Sequence, residues 1–176
     1  SHDCRYLGEV MTYPAVINEE KEMMEKIDIT KKYTDVLDGH APGLSGKDLE
    51  KYISAGITTD HECVTLEECE EKISRGMKVQ IREGSLSKKL DDFYPLLEKY
   101  TDKCMFCSDD RHPDDLEEGQ LNLTIKKALD FDIPIMKCLK AASVNPVKHY
   151  GLDVGLLQEG DKADFIIVDD LENLKI

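Results

Sequence analysis

The sequence predicts an α/β fold, part of a TIM-type (β/α) barrel, followed by a C-terminal segment of different character. Three observations predict it. Short apolar or β-branched runs alternate strictly with amphipathic helical stretches, and that alternation means a parallel sheet. Acids and histidines stand at the C-terminal ends of these runs: Glu9, His40, His61 and Asp109. In an α/β barrel those strand ends surround one point, so distant positions converge there. The intervals also fit: Glu9 to His40 is 31 residues, His40 to His61 is 21, and His61 to Asp109 is 48. One strand-helix unit takes about 20–30 residues, so the last interval should hold two units. A period-two run from Met77 to Glu83 lies inside it, which brings the count to about five.

In chain order, Leu7-Gly8-Glu9-Val10-Met11 carries the first strand end. Asn18 to about Lys32 reads as a charged helix with Met23, Met24 and Ile27 on one side. Val36-Leu37 is the next strand, and Asp38-Gly39-His40-Ala41-Pro42-Gly43 closes it. Ser45 looks like the N-cap of a helix carrying Leu49, Tyr52 and Ile53, with Gly56 as its stop. Ile57-Thr58-Thr59 leads to Asp60-His61-Glu62. Thr65-Leu66-Glu67-Glu68 fits a capping box before the stripe Leu66, Cys69 and Ile73. After the strand ending at Arg82-Glu83, Leu90, Phe93, Leu96, Leu97 and Tyr100 form another helical stripe. Cys104 to Cys107 is the last strand of the series, followed by Ser108-Asp109-Asp110.

The pattern then changes. Leu121 to Phe131 and Ile135 to Ala142 read as two helices, the second started by Pro134 and broken by Asn145-Pro146. Ala163 to Asp169 reads as a compact strand, so the barrel-like part, residues 1–152, ends near Leu152 and residues 153–176 form a separate segment. A complete eight-unit barrel takes about 250 residues and rarely under 200. With 176 residues, the chain is expected to be part of a longer protein, cut near both ends.

A net charge of −14 argues against a nucleic-acid surface, which needs clustered Lys and Arg. The acid excess reads as solvated helix surface, for example Glu67, Glu68, Glu70 and Glu71. No apolar stretch approaches the roughly 20 residues of a membrane span, and no signal peptide is visible. The six cysteines, Cys4, Cys63, Cys69, Cys104, Cys107 and Cys138, are thinly spread. That is the usage of a reducing cytosol, with thiols as small core residues, and it places the protein in the cytoplasm. Cys104-Met105-Phe106-Cys107 is formally a C-x-x-C. In a strand its sulfurs point to opposite faces, and no second pair follows at zinc-finger spacing, so it reads as core.

Taken together, the segments around Glu9, His40 and His61, with Arg82-Glu83-Gly84-Ser85 and Ser108-Asp109-Asp110-Arg111-His112-Pro113, resemble the amidohydrolase superfamily, and within it the adenine deaminases of bacterial and archaeal type. Each piece alone is weakly specific; the ordered set is highly specific and spans essentially the whole chain. The resemblance implies that the strands are numbers four to eight of the barrel, and that Ala163 to Asp170 returns to the family's small β domain. It implies Glu9 as a carboxylate bridging two divalent metal ions, His40 and His61 as imidazole ligands, and Asp109 as ligand and proton carrier. Manganese or iron is the implied metal, with zinc an alternative that the donor types equally suit. The superfamily's His-x-His of strand one has no counterpart in this chain, so the implied missing part is roughly the first three strands and the start of the β domain.

The implied reaction is hydrolysis of adenine to hypoxanthine and ammonia in purine salvage. C6 of adenine is a poor electrophile and water a poor nucleophile. A metal lowers the pKa of water from 15.7 toward about 7, and a carboxylate moves the protons. Asp109 is the expected proton carrier, preferred to Asp110 because it directly follows the strand. Glu62 and Glu83 are further catalytic candidates, and Glu83, Asp110 and His112 are candidate substrate contacts. Each also has an ordinary reading. His40 alone would be the cap of a Gly-rich turn, Glu62 and Glu83 surface acids, and His112 a helix cap; His2 and His149 read as structural or surface residues. Two alternatives stand beside the deaminase: an amidohydrolase acting on another cyclic amide or amino-heterocycle, and a fragment that binds metal or a partner without catalysis. A partial barrel exposes strand edges and apolar helix faces, so a homo-oligomer is expected, with no nucleic-acid or membrane partner.

Overall fold

A computed structural model describes residues 6–175; the expectations for His2 and Cys4 lie outside them. The chain forms two compact units divided between Gln80 and Ile81. Among the described residues, five strands alternate with helices: a mixed α/β fold with parallel strands. No helix among them is long and apolar enough to cross a membrane.

The first unit holds β1 (Leu7–Val10), α1 (Tyr13–Ile17), α2 (Lys21–Lys31), β2 (Leu37–Gly39), α3 (Gly46–Ser54), β3 (Thr59–Asp60), α4 (Leu66–Ser74) and the start of β4 (Lys78–Arg82). β1 pairs parallel with β2, with Leu7 opposite Leu37 and Val10 opposite Gly39. The Thr58 N–H donates to the Leu37 carbonyl at 2.9 Å. β3 pairs parallel with β4 through Thr59 opposite Lys78 and Asp60 opposite Val79. Consecutive strands are thus neighbours, each crossover being helical, as parallel pairing requires. Val10, Ile27, Leu37, Leu49, Tyr52 and Ile57 belong to one buried cluster beneath them.

Local chemistry explains the helix ends. The expected helix from Asn18 begins later, at Lys21. Asn18 instead closes α1, its N–H on the Pro14 carbonyl, and Glu19 turns the chain at φ 54°. Ser45 precedes α3 in extended backbone, but its side chain makes no capping bond; the Gly46 N–H is met by Glu71 Oε1 at 2.9 Å. Thr65 caps α4, its Oγ1 accepting from the Glu68 N–H at 3.2 Å. The return arm of the capping box is not made, because the Glu68 carboxylate accepts from the Val64 and Gly43 N–H groups at 2.8 and 2.9 Å.

The second unit holds the end of β4, then α5 (Leu90–Lys99), β5 (Cys104–Cys107), α6 (Pro113–Glu118), α7 (Leu121–Leu129), α8 (Ile135–Leu139) and α9 (Asn145–Tyr150). Leu90, Phe93, Leu96 and Leu97 are the buried stripe of α5. Cys104, Met105 and Phe106 are buried in β5, as a core strand demands. Asn145-Pro146 does not break the helix after Pro134. A π-helical turn, Lys140–Val144, joins α8 to α9. Pro146 then falls in the first turn of α9, where no N–H is needed. Asn145 anchors the junction, its Nδ2 donating to the Thr101 and Cys104 carbonyls at 2.7 Å. The strand expected at Ala163 to Asp169 does not form: among the described residues this stretch joins no ladder. Phe165, Ile166 and Ile167 are 58, 68 and 76 % exposed. A β-branched run becomes a strand only where a partner edge takes its hydrogen bonds.

Candidate metal centre

Three chemistry-bearing side chains of the first unit meet at its strand ends. Glu9 lies in β1, His40 directly follows β2, and His61 directly follows β3. Glu9 Oε2 is 3.0 Å from His40 Nδ1 and 2.9 Å from His61 Nε2. The two imidazole rings meet edge to face, 5.3 Å between centroids and 77° between planes. The His61 side chain is only 10 % exposed, whereas Glu9 is 37 % exposed, so the cluster opens to solvent through the carboxylate. Glu62 Oε1 stands 3.6 Å from the same His61 nitrogen.

The backbone around each group is tightly held. Gly39 has no room for a side chain, since a Cβ there would lie 2.4 Å from the Thr59 carbonyl oxygen and 2.7 Å from Ile57 Cγ2. The next residue, His40, donates its N–H to Tyr52 Oη at 3.0 Å. Tyr52 Oη in turn donates to the Val10 carbonyl at 2.8 Å. One buried hydroxyl therefore ties the end of β1 to the residue after β2. Burial pushes that hydroxyl well above its usual pKa, so it remains a neutral donor. At β3, Asp60 Oδ1 accepts from the Glu62 N–H at 2.8 Å, closing an Asx turn around His61.

The donor set fits a divalent cation. Two imidazole nitrogens and a carboxylate oxygen suit zinc, manganese or iron, and one ligand atom from each lies within 4.8 Å of the others. A tetrahedral ion with bonds near 2.0–2.1 Å separates its ligand atoms by about 3.3 Å. The observed 2.9–3.0 Å contacts need open only slightly to receive one.

The other sequence-predicted residues belong to the second unit. Asp109 follows β5 with φ 49°, a left-handed conformation that Asp adopts more readily than most residues. Arg82 Nη2 lies 2.6 Å from Asp109 Oδ2 and 2.8 Å from Asp110 Oδ1. The hydrogen bond from Arg82 holds the Asp110 carboxyl below the usual carboxylate range. Asp110 Oδ2 accepts from the Leu86 N–H at 3.2 Å, and a Cβ on Gly84 would lie 2.1 Å from Asp110 Oδ1. Asp110 thus organises the turn after β4. Glu83 is buried; its Oε1 caps α5 by accepting from the Leu90 N–H at 2.7 Å, and its Oε2 pairs with Lys127 at 3.2 Å. His112 is exposed at the start of α6, its N–H on Ser85 Oγ at 2.8 Å. The His149 ring packs edge-on against Tyr150.

Sequence reasoning missed the supporting residues. Glu68 and Lys72 are buried, so Glu68 is not part of a solvated acidic face. A signal existed: Lys72 falls on the same helical stripe as Cys69 and Ile73, where a charge needs a reason. Tyr52 was legible as core, but its hydroxyl had no sequence signal.

A family model described as "Amidohydrolase family" matches residues 1–176. The chain is 51 % identical over 174 residues to an adenine deaminase of Salinibacter ruber, covering 99 % of this chain and 32 % of that protein. It is 50 % identical over 175 residues to one of Methanosarcina mazei, with 99 % and 32 % covered. It is 47 % identical over 178 residues to one of Borreliella burgdorferi, again with 99 % and 32 % covered. The chain spans about a third of the length of the curated relatives it matches.

Proposed function

The chain belongs to the amidohydrolase family, and on that premise we propose that it is part of a metal-dependent adenine deaminase acting in purine salvage. The observation that carries this reading is the convergence of Glu9 Oε2 on His40 Nδ1 and His61 Nε2, in a chain about half identical to adenine deaminases along nearly its whole length. Within it, β1 to β5 are barrel strands four to eight, residues 1–152 are barrel, and residues 153–176 lead back to a small β domain. The centre takes two divalent ions, manganese or iron before zinc, and the protein works in the cytoplasm as a homo-oligomer.

The reaction breaks the C6–N bond of adenine and forms a C6–O bond from water, releasing ammonia. When bound, a divalent ion would supply polarisation and make water more acidic. Glu9, His40 and His61 would hold that ion, with Asp109 as a further ligand. Asp109 accepts the proton that water loses and returns one to the departing amine. Its exposure to solvent suits a group that exchanges protons. Asp110, with both oxygens engaged, fixes the loop beside it and serves as a substrate contact. Glu62 and Glu83 supply further carboxylates, and Glu83 with His112 contacts the purine.

The test is ammonia release by the full-length protein, loaded in turn with manganese, iron and zinc. Adenine should turn over much faster than adenosine, cytosine or dihydroorotate. A clear preference for any of those three replaces the deaminase by a different amidohydrolase.

A further inference from the structure

Asp60, Cys63 and Glu68 form a second, wholly buried group of possible metal donors in the first unit. An ammonium already fills it. Lys72 Nζ lies 2.7 Å from Asp60 Oδ2, is hydrogen-bonded to Glu68 Oε1, and stands 3.8 Å from Cys63 Sγ. It also donates to the Ala41 carbonyl at 2.7 Å. Lys72 itself is 0 % exposed. Burial alone would lower its pKa, but the neighbouring acidic groups, Asp60 among them, outweigh it and hold the lysine above its usual value. The group is therefore an ion triad of one cation and two carboxylates.

Every bond that leaves this triad ends within three residues of a candidate ligand. Ala41 is the residue after His40, and its N–H donates to Asp60 Oδ2 at 3.2 Å while its carbonyl receives Lys72. Asp60 is the residue before His61, and its other oxygen takes the Glu62 N–H at 2.8 Å. Glu68 takes the Gly43 N–H at 2.9 Å, two residues beyond Ala41, and the Val64 N–H at 2.8 Å. The loops after β2 and β3 are thus bolted to α4 through Lys72 and Glu68.

We infer that Lys72 is a positioning residue for the metal centre: its buried ammonium, held by Asp60 and Glu68, locks the backbone that aims His40 and His61. Buried ion triads are costly to desolvate and are often replaceable by apolar packing without loss of stability, so packing alone does not call for one here. Geometry does. An apolar side chain cannot bind the Ala41 carbonyl and two carboxylates at once. The inference rests on the reading of His40 and His61 as ligands.

The experiment measures Mn²⁺ affinity by chelator competition in the full-length protein, beside circular dichroism and thermal melting. The variants are Lys72→Met, Glu68→Gln and His61→Asn. Lys72→Met should fold and bind Mn²⁺ about 10–100-fold more weakly, the loss typical when a ligand's support is removed. Glu68→Gln, which keeps the ammonium and the shape, should weaken it in the same direction. A folded Lys72→Met with parental Mn²⁺ affinity overturns the inference if His61→Asn has lost the ion. If Lys72→Met does not fold, Glu68→Gln decides: weakened Mn²⁺ binding upholds the inference, and unchanged binding overturns it. Unchanged affinity in His61→Asn is a separate failure, that of the ligand reading, and the inference falls with it.

Discussion

Glu9 Oε2 and His61 Nε2 lie 2.9 Å apart, although they belong to strand ends separated by β2 and three helices. The same carboxylate oxygen also lies 3.0 Å from His40 Nδ1, so it stands between the two imidazoles. Glu9→Gln keeps the shape and removes the charge. In the full-length protein it should lower divalent-metal affinity by about tenfold or more, since removing even an outer support of a ligand costs that much. Metal analysis after dialysis measures it. Full occupancy in the variant would remove Glu9 from the ligand set.

Tyr52 makes a different kind of contribution. Its buried hydroxyl accepts from the His40 N–H and donates to the Val10 carbonyl. Tyr52→Phe leaves both backbone groups buried without that partner. The cost should be about 1–3 kcal/mol, read as a lower midpoint in urea unfolding. Metal affinity should fall with it, because the same hydroxyl places the backbone of His40. A variant as stable as the parent would mean that water replaces the hydroxyl.

Asp109 and Asp110 share one guanidinium nitrogen of Arg82 but differ in freedom. Asp110 also holds the Leu86 N–H, and Asp109 is the more exposed of the pair. Asp109→Asn should lower kcat on adenine by about 10²-fold or more, and Asp110→Asn by less. The reverse order in steady-state kinetics would assign the proton-carrying role to Asp110.

The 176-residue chain has five histidines and no His-x-His, so by itself it is expected to lack ligands for a second divalent ion. Purified alone, it should bind at most about one divalent ion per chain, weakly, and release no ammonia from adenine. Phe165, Ile166 and Ile167 are all more than half exposed, and apolar patches of that sort promote association. Light scattering should report particles larger than one chain. A monomer holding two metals tightly and turning over adenine would refute all three expectations.

Much of this architecture was legible along the chain. Period-two runs and helical stripes located β4, β5, α3, α4 and α5, because side-chain periodicity is a local consequence of backbone geometry. Glu9, His40 and His61 stood out for the same reason, each closing an apolar run. The missed features involve competition between local signals and distant partners. Asn18 has the residue type of a helix start, yet it ends α1. Asn145-Pro146 looks like a break, yet a π turn carries the helix through it.

What the sequence by itself determined is the alternation of strand and helix, the positions of the strand-end acids and histidines, and the chemical class those residues suit. Only the tertiary structure decided which polar atoms meet. Nothing local tells Glu68 to leave the solvated face of α4 for the Gly43 and Val64 N–H groups. Nothing local tells Lys72 that Asp60 and the Ala41 carbonyl await it. Nor does the β-branched run at Ala163 to Asp169 carry its own partner. Periodicity is a property of one segment, whereas a hydrogen bond, an ion pair or a ladder needs two, and the second is supplied by the fold.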